Sequence, residues 1–263
     1  MTAKRFKATV ICGAALCLFL TAASVSPAAA ARPTCFGQPA TIVGTSGNDR
    51  IRATNKVDVI AALGGSDVVR GRGGRDLMCG GRGNDRVLGG AAKDFIAGGA
   101  GTDRLSGQRG LEGEKVLGNG GVDRIIGGDG DDLLRGGGSA DHIWGDTPGG
   151  GANPGYDKVQ GGPGADTVHG GGRGDFIVGR DSGDRLFGDE GRDYLYGLKG
   201  ADRLAGGGGE DHLYGHQGND HLFGSPGDDQ LVGASGNDDL DGGAGTDSCV
   251  QGVGTGLVVN CEP

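Results

Sequence analysis

Twenty-one aspartates recur at intervals of nine residues along this 263-residue chain. Asp49, Asp58, Asp67, Asp76, Asp85, Asp94 and Asp103 open the series, and Asp123, Asp132 and Asp141 resume it. Eleven more, from position 157 to 247, keep the interval without a break. Two residues after each aspartate comes an apolar side chain, from Ile51, Ile60, Val69 and Met78 to Leu222, Leu231 and Leu240. A nine-residue unit is too small to bury anything alone, so a strict period implies units stacked on one another. The three residues after each aspartate read as a short strand with its middle residue inward. Two turns and two strands make one coil of 18 residues, and successive coils stack as parallel strands about 4.8 Å apart. The expected fold is all-β: a parallel β-roll, a right-handed β-helix-like solenoid of nine-residue repeats.

Composition without the period would mislead. Sixty-three Gly and eight Pro make 71 of 263 residues, about 27%, a level that signals disorder when no repeat is present. Here each aspartate closes a six-residue turn such as Gly80-Gly81-Arg82-Gly83-Asn84-Asp85. Glycine at its first, second and fourth positions is expected where the backbone needs dihedrals closed to other residues.

These units resemble the repeats-in-toxin (RTX, haemolysin-type) calcium-binding repeat, Gly-Gly-x-Gly-x-Asp-x-apolar-x. The resemblance covers residues 44–250 in 22 units, fourteen of which have Gly at the first and fourth positions and Asp at the sixth. Lys56, Ala92, Ser139, Arg173 and Ser182 replace the fourth glycine, Ala62 and Ala152 the first, and Glu114 stands where an aspartate is expected. The resemblance implies several bound Ca2+ ions, and the chemistry agrees. Calcium takes six to eight oxygens from carboxylates and carbonyls in flexible geometry, and each turn adds one carboxylate to exposed glycine carbonyls. Magnesium demands stricter geometry, and no His/Cys cluster has zinc-ligand spacing. Same-side turns that keep the full pattern pair Asp193 with Asp211, Asp211 with Asp229, Asp229 with Asp247, Asp202 with Asp220, Asp220 with Asp238, and Asp85 with Asp103. Asp132 and Asp166 also close full turns, completing the candidate ligands. The competing reading is a metal-free solenoid in which aspartate only shapes turns.

Residues 1–31 read as a secretory signal: Lys4, Arg5 and Lys7, an apolar run over 8–23, then Ala28-Ala29-Ala30-Ala31. Four cysteines remain beyond it, and three pairings are open to them. The nearer partners, Cys35 with Cys79 and Cys249 with Cys261, are favoured because a solenoid has two ends to cap. Residues 32–43 and 251–263 are the expected caps of the roll at 44–250. The tail holds Leu257, Val258 and Val259 to fold over the end, and its bond would contribute roughly 3 kcal/mol. Charge is −9 for the chain; without Lys4, Arg5 and Lys7, 22 basic residues face 34 acidic ones, a net −12. Facing carboxylates about 4.8 Å apart would repel by roughly 0.9 kcal/mol per pair even in water. Folding then calls for cations, and the acidity argues against nucleic acid.

Two interruptions break the phase. Residues 107–117 hold a unit with two extra residues, and 145–151 insert seven, read as a loop bulging from one turn. The stretch 188–250 is the most regular. No Ser, His and Asp fall into a catalytic arrangement, and the repeat explains the many carboxylates better than glycoside hydrolysis does. Arg173-Gly174-Asp175 matches an adhesion tripeptide but sits in phase with the repeat. Phe176, Tyr194, Tyr196 and Tyr214 fall on adjacent rungs of one outward face, a candidate cell-surface or glycan contact. The reading is a secreted, non-enzymatic calcium-binding β-roll with a structural or interaction role outside the cell. Adhesion through the aromatic face is the alternative, and a hydrolase a weaker one. RTX rolls often accompany toxins, proteases or lipases, with an uncleaved C-terminal export signal; the N-terminal signal here departs from that pattern.

Overall fold

A computed structural model describes residues 31–109, 113–149 and 151–262; the expected signal sequence lies outside them, apart from Ala31. Alternate units feed two parallel sheets of twelve strands each. Sheet I runs from Ile42–Val43 to Ser248–Val253, and sheet II from Arg50–Arg52 to Val258–Val259. Each strand pairs with the one 18 residues away, as Val69 with Val87 and Leu195 with Leu213. Both insertions are absorbed without loss of register: Leu105 pairs with Ile125, 20 residues on, and Leu134 with Val159, 25 on. The inward residues of both sheets meet in one apolar column, and those from Ile60 to Leu240 are buried to 2% exposure or less. No helix among the described residues is long and apolar enough to cross a membrane.

The strands are longer than the three residues expected. Val68–Gly73 and most of those that follow span six residues, whereas Arg50–Arg52 and Val59–Ala61 span three. In the longer strands the ladder continues through the bend, pairing Arg72 with Gly90 and Gly81 with Gly99.

The glycines also divide differently from the expectation. The second position is left-handed yet accepts side chains, as at Leu63, Arg72, Leu198 and His216. Ala92, Ser139, Arg173 and Ser182 likewise hold positive φ at the fourth. The first position, at Gly89 for example, lies outside the left-handed region. Glycine is needed there for space: a Cβ on Gly89 would stand 2.5 Å from Asp94 Oδ2 and 2.8 Å from the Gly107 carbonyl oxygen.

At the N-terminal end, Thr34–Cys35 and Gln38–Pro39 form an antiparallel hairpin. The Cys35–Cys79 disulfide and the edge-on contact of Phe36 with Phe95 hold it on the outer face of sheet I. At the C-terminal end a Cys249–Cys261 disulfide closes the tail, and Cys249 follows Leu231 in the inward column. The tail does not fold over the end. Val258 pairs with Leu240 as one more rung and stays 41% exposed, because a rung leaves its own far edge open. The seven-residue insertion starts one position later than expected: Gly145, not Ala152, is the first glycine of the Asp157 turn, standing against Asp157 Oδ2 and the Gly170 carbonyl.

Candidate metal centre

Each aspartate turns into the roll, not out to solvent. Asp67 N–H donates to Asp85 Oδ1 and Asp85 N–H to Asp103 Oδ1, both at 2.8 Å. The same link joins Asp193 to Asp211, Asp211 to Asp229 and Asp202 to Asp220. It spans both insertions, from Asp103 to Asp123 and from Asp132 to Asp157. One carboxylate oxygen per turn is therefore spent on tying its coil to the preceding one.

The other oxygen, Oδ2, is the informative one. In Asp85, Asp103, Asp132, Asp166, Asp193, Asp202, Asp211, Asp220, Asp229, Asp238 and Asp247 it is buried and has no donor. It points over the first glycine of its own turn, toward the first-glycine carbonyl of the next coil. Asp211 Oδ2 and the Gly224 carbonyl oxygen both lie within 2.8 Å of where a Gly206 Cβ would stand. A buried carboxylate oxygen facing a carbonyl oxygen is two acceptors with nothing between them. That arrangement is costly unless a cation or a proton joins them.

The electrostatics follow from this. Burial pushes Asp76, Asp85, Asp103, Asp123, Asp166, Asp202, Asp220 and Asp229 up to about 6. Asp94, Asp141 and Asp193 reach about 7, Asp157 and Asp184 about 8, and Asp175 about 9. The N–H from the preceding coil opposes the rise in these groups, and neighbouring carboxylates add to it in most of them, among them Asp94 and Asp175. Desolvation is the largest cause, so the like-charge repulsion expected from the sequence is real but secondary. Burial also raises Glu114 and Asp132, and the Glu114 carboxyl beside Asp132 raises Asp132 further.

No group of three or more His, Cys, Asp or Glu side chains converges among the described residues. Backbone carbonyls must then complete any ligand set, which suits a hard cation and not zinc. The chain belongs to the RTX calcium-binding nonapeptide repeat family. The family's model matches residues 43–78, 53–87, 80–110, 117–147, 152–177, 178–213 and 214–249. No match to an individual curated protein was found.

Within the RTX roll the geometry extends beyond the eleven candidate ligands. Asp76 and Asp123, in full-pattern turns, and Asp67, Asp94, Asp141, Asp157, Asp175 and Asp184, in departing ones, present the same donorless Oδ2. Asp175, the last residue of the Arg-Gly-Asp tripeptide, is thereby buried at 1% exposure. Glu262 takes the place of a further aspartate by accepting the Asp247 N–H with its carboxylate; lying outside the period, it left no signal in the sequence. The inserted loop brings in Asp146, which accepts from Gly155 and Gly172 N–H at 3.2 and 2.8 Å.

The first two turns differ. Asp58 Oδ2 accepts from Thr54 N–H at 2.8 Å and from its hydroxyl at 2.7 Å. Asp49 Oδ2 is held in the same way by Thr45. The aromatic residues lie on sheet I as expected, but they stack on one another. Tyr196 lies 5.0 Å from Tyr214 and 5.3 Å from Phe176, and Tyr194 lies 4.6 Å from His212.

Proposed function

We propose that this protein is exported and folds around several calcium ions, serving outside the cell as a structural or interaction module without catalytic activity. One observation carries the reading: the rows of buried Oδ2 atoms without donors, each beside a glycine carbonyl. Asp193, Asp202, Asp211, Asp220, Asp229, Asp238 and Asp247 would hold ions in the regular block. Asp85, Asp103, Asp132 and Asp166 would do so earlier in the chain. Each ion would satisfy carboxylate oxygens that the fold buries without a donor. Ligands from adjacent coils meet only when the coils are stacked, so binding energy becomes folding energy.

Support for export comes from the basic, apolar and small-residue order of 1–31 and from two disulfides, which persist in oxidising compartments. Tyr196 and Tyr214 stack on each other and Tyr194 on His212, while Phe176 and Tyr194 stay exposed. The buried Oδ2 rows, and not this surface, favour the calcium role over adhesion. Calorimetric titration of the protein lacking residues 1–31 tests the proposal. Binding of several calcium ions, with β-structure gained on the same titration, is expected; no heat at millimolar calcium would refute it.

A further inference from the structure

The outer face of sheet II carries a stripe that calcium binding does not use. Arg50, Arg52, Arg70, Arg86, Arg104 and Arg124 project from its first five strands, all exposed. Arg104 is the direct cross-strand partner of both Arg86 and Arg124, and Arg52 is the partner of Arg70. Like charges directly opposite one another oppose pairing. Among the described residues none of the first five reaches a carboxylate, and Arg124 lies 4.2 Å over the Trp144 ring. Two depressions of about 450 and 320 Å³ follow the stripe, lined by these arginines with Val68, Leu88 and Ser106 among their neighbours, and by no carboxylate. Farther along the same sheet the run is broken: His142 and Thr167 take the next two rungs, Arg185 and Arg203 form one isolated pair, and His221 is paired with Asp239 at 3.3 Å. A chain of net charge −9 thus segregates six cations, none paired with a carboxylate, on one face.

We propose that this stripe docks a linear polysaccharide carrying one acidic group per sugar ring, laid along the solenoid axis. One outward column reads Arg50, Val68, Arg86, Arg104 and Arg124, and the next carries Arg52 and Arg70 before Leu88. With a sideways step of about 6.7 Å between Arg70 and Arg86, each of the five strands thus offers a guanidinium, roughly 19 Å from end to end at the strand spacing of about 4.8 Å. One pyranose ring spans much the same length, so successive acidic groups meet successive arginines, each able to take a planar anion by two N–H bonds. An extended acidic peptide places same-face side chains about 6.7 Å apart and falls out of step. Single-stranded nucleic acid needs a run of aromatic platforms for its bases. Along the stripe the outward residues beside the arginines are Val68, Leu88, Ser106 and Ile126, and rings among the described residues stand only at its far end, where Arg124 covers Trp144 beside His142. Trp144 and the inserted loop, with Asp189 and Glu190 on the cavity beside them, bound the stripe at its far end.

The test is binding of oligogalacturonates of two to eight rings to the full-length mature chain at one fixed calcium concentration. Affinity should rise with length and level off at about five rings. The double variant Arg86→Glu/Arg104→Glu should bind roughly tenfold more weakly or worse. Arg185→Glu/Arg203→Glu, on the same sheet but outside the stripe, should bind as the parent does. Arg86→Gln/Arg104→Gln removes charge without adding any and serves if the reversal impairs folding. Circular dichroism at the same calcium concentration reports the state of the roll, so loss of docking is told apart from loss of calcium-dependent folding. No binding, equal loss in both charge-reversed variants, or equal affinity for polyglutamate or a single-stranded oligonucleotide would overturn the proposal.

Discussion

The first two turns and the turns that follow solve one problem in opposite ways. Around Asp49 and Asp58 the strands are two or three residues long, and a threonine at the second turn position aims its N–H and hydroxyl at the carboxylate. From the Asp76 turn onward most strands run six residues through the bend, which pairs the second position with the next coil, whereas the Asp67 and Asp157 turns follow three-residue strands and lack the threonine. In both kinds of turn the Oδ2 atom lacks that local donor. Threonine at the roll's start does what a cation would do farther along. The comparison ties the donorless Oδ2 to the lack of a threonine at the second turn position, whether or not the strand runs through the bend.

Removing calcium should have the largest effect. A chelator should abolish the β-signal in circular dichroism for everything built on the donorless turns, and millimolar calcium should restore it. The same spectrum in both conditions would show that the later turns are as self-sufficient as the first two.

Acid should substitute for calcium next. The affected aspartates are raised from 3.8 to between about 6 and 9 in the folded roll, so the folded state holds protons more tightly than the unfolded one. Their contribution to metal-free stability is fully present below about pH 4 and is lost as pH rises through 6 to 9. In chelator, melting temperature should therefore fall from pH 5 to pH 8, while calcium affinity rises over the same interval. Metal-free stability that increases with pH would mean that these carboxylates are not the groups in control.

A single substitution sharpens the comparison further. Asp211→Asn keeps an acceptor for the Asp193 N–H and turns an amide donor toward the Gly224 carbonyl. Without calcium it should stabilise the protein by about 1 kcal/mol or more. With calcium it should destabilise by about 2 kcal/mol and lower the number of ions bound. Asp49→Asn, in a threonine-held turn, should cost about 1 kcal/mol in either condition. Paired denaturant titrations read the sign change directly, and equal behaviour of the two variants would erase the distinction.

The smallest expected effect belongs to Thr54→Val. It removes one hydroxyl from Asp58 while leaving the Thr54 backbone N–H, at a cost of about 1 kcal/mol and with no change in ions bound. A gain of one calcium ion in that variant would show that the hydroxyl and the cation compete for the same oxygen.

Much of this architecture is legible in the residues themselves. The nine-residue period sets an 18-residue coil, and the apolar residue after each aspartate, from Ile60 to Leu240, sets which side of each strand turns inward. Glycine and aspartate in phase mark the turns and, through the family they resemble, the ion. The sequence by itself thus determined the fold, because a periodic signal is local and repeats in every unit. Only the tertiary structure decided that the carboxylates are buried, that Oδ1 is committed to the preceding coil, and that Oδ2 has no donor. Those properties belong to contacts 18, 20 or 25 residues apart. The same holds for Glu262, which joins the row from outside the period, and for Arg86, Arg104 and Arg124, which become neighbours only when the coils stack. A nine-residue pattern specifies what each unit can offer; the neighbouring coil decides which of those atoms are left without a partner.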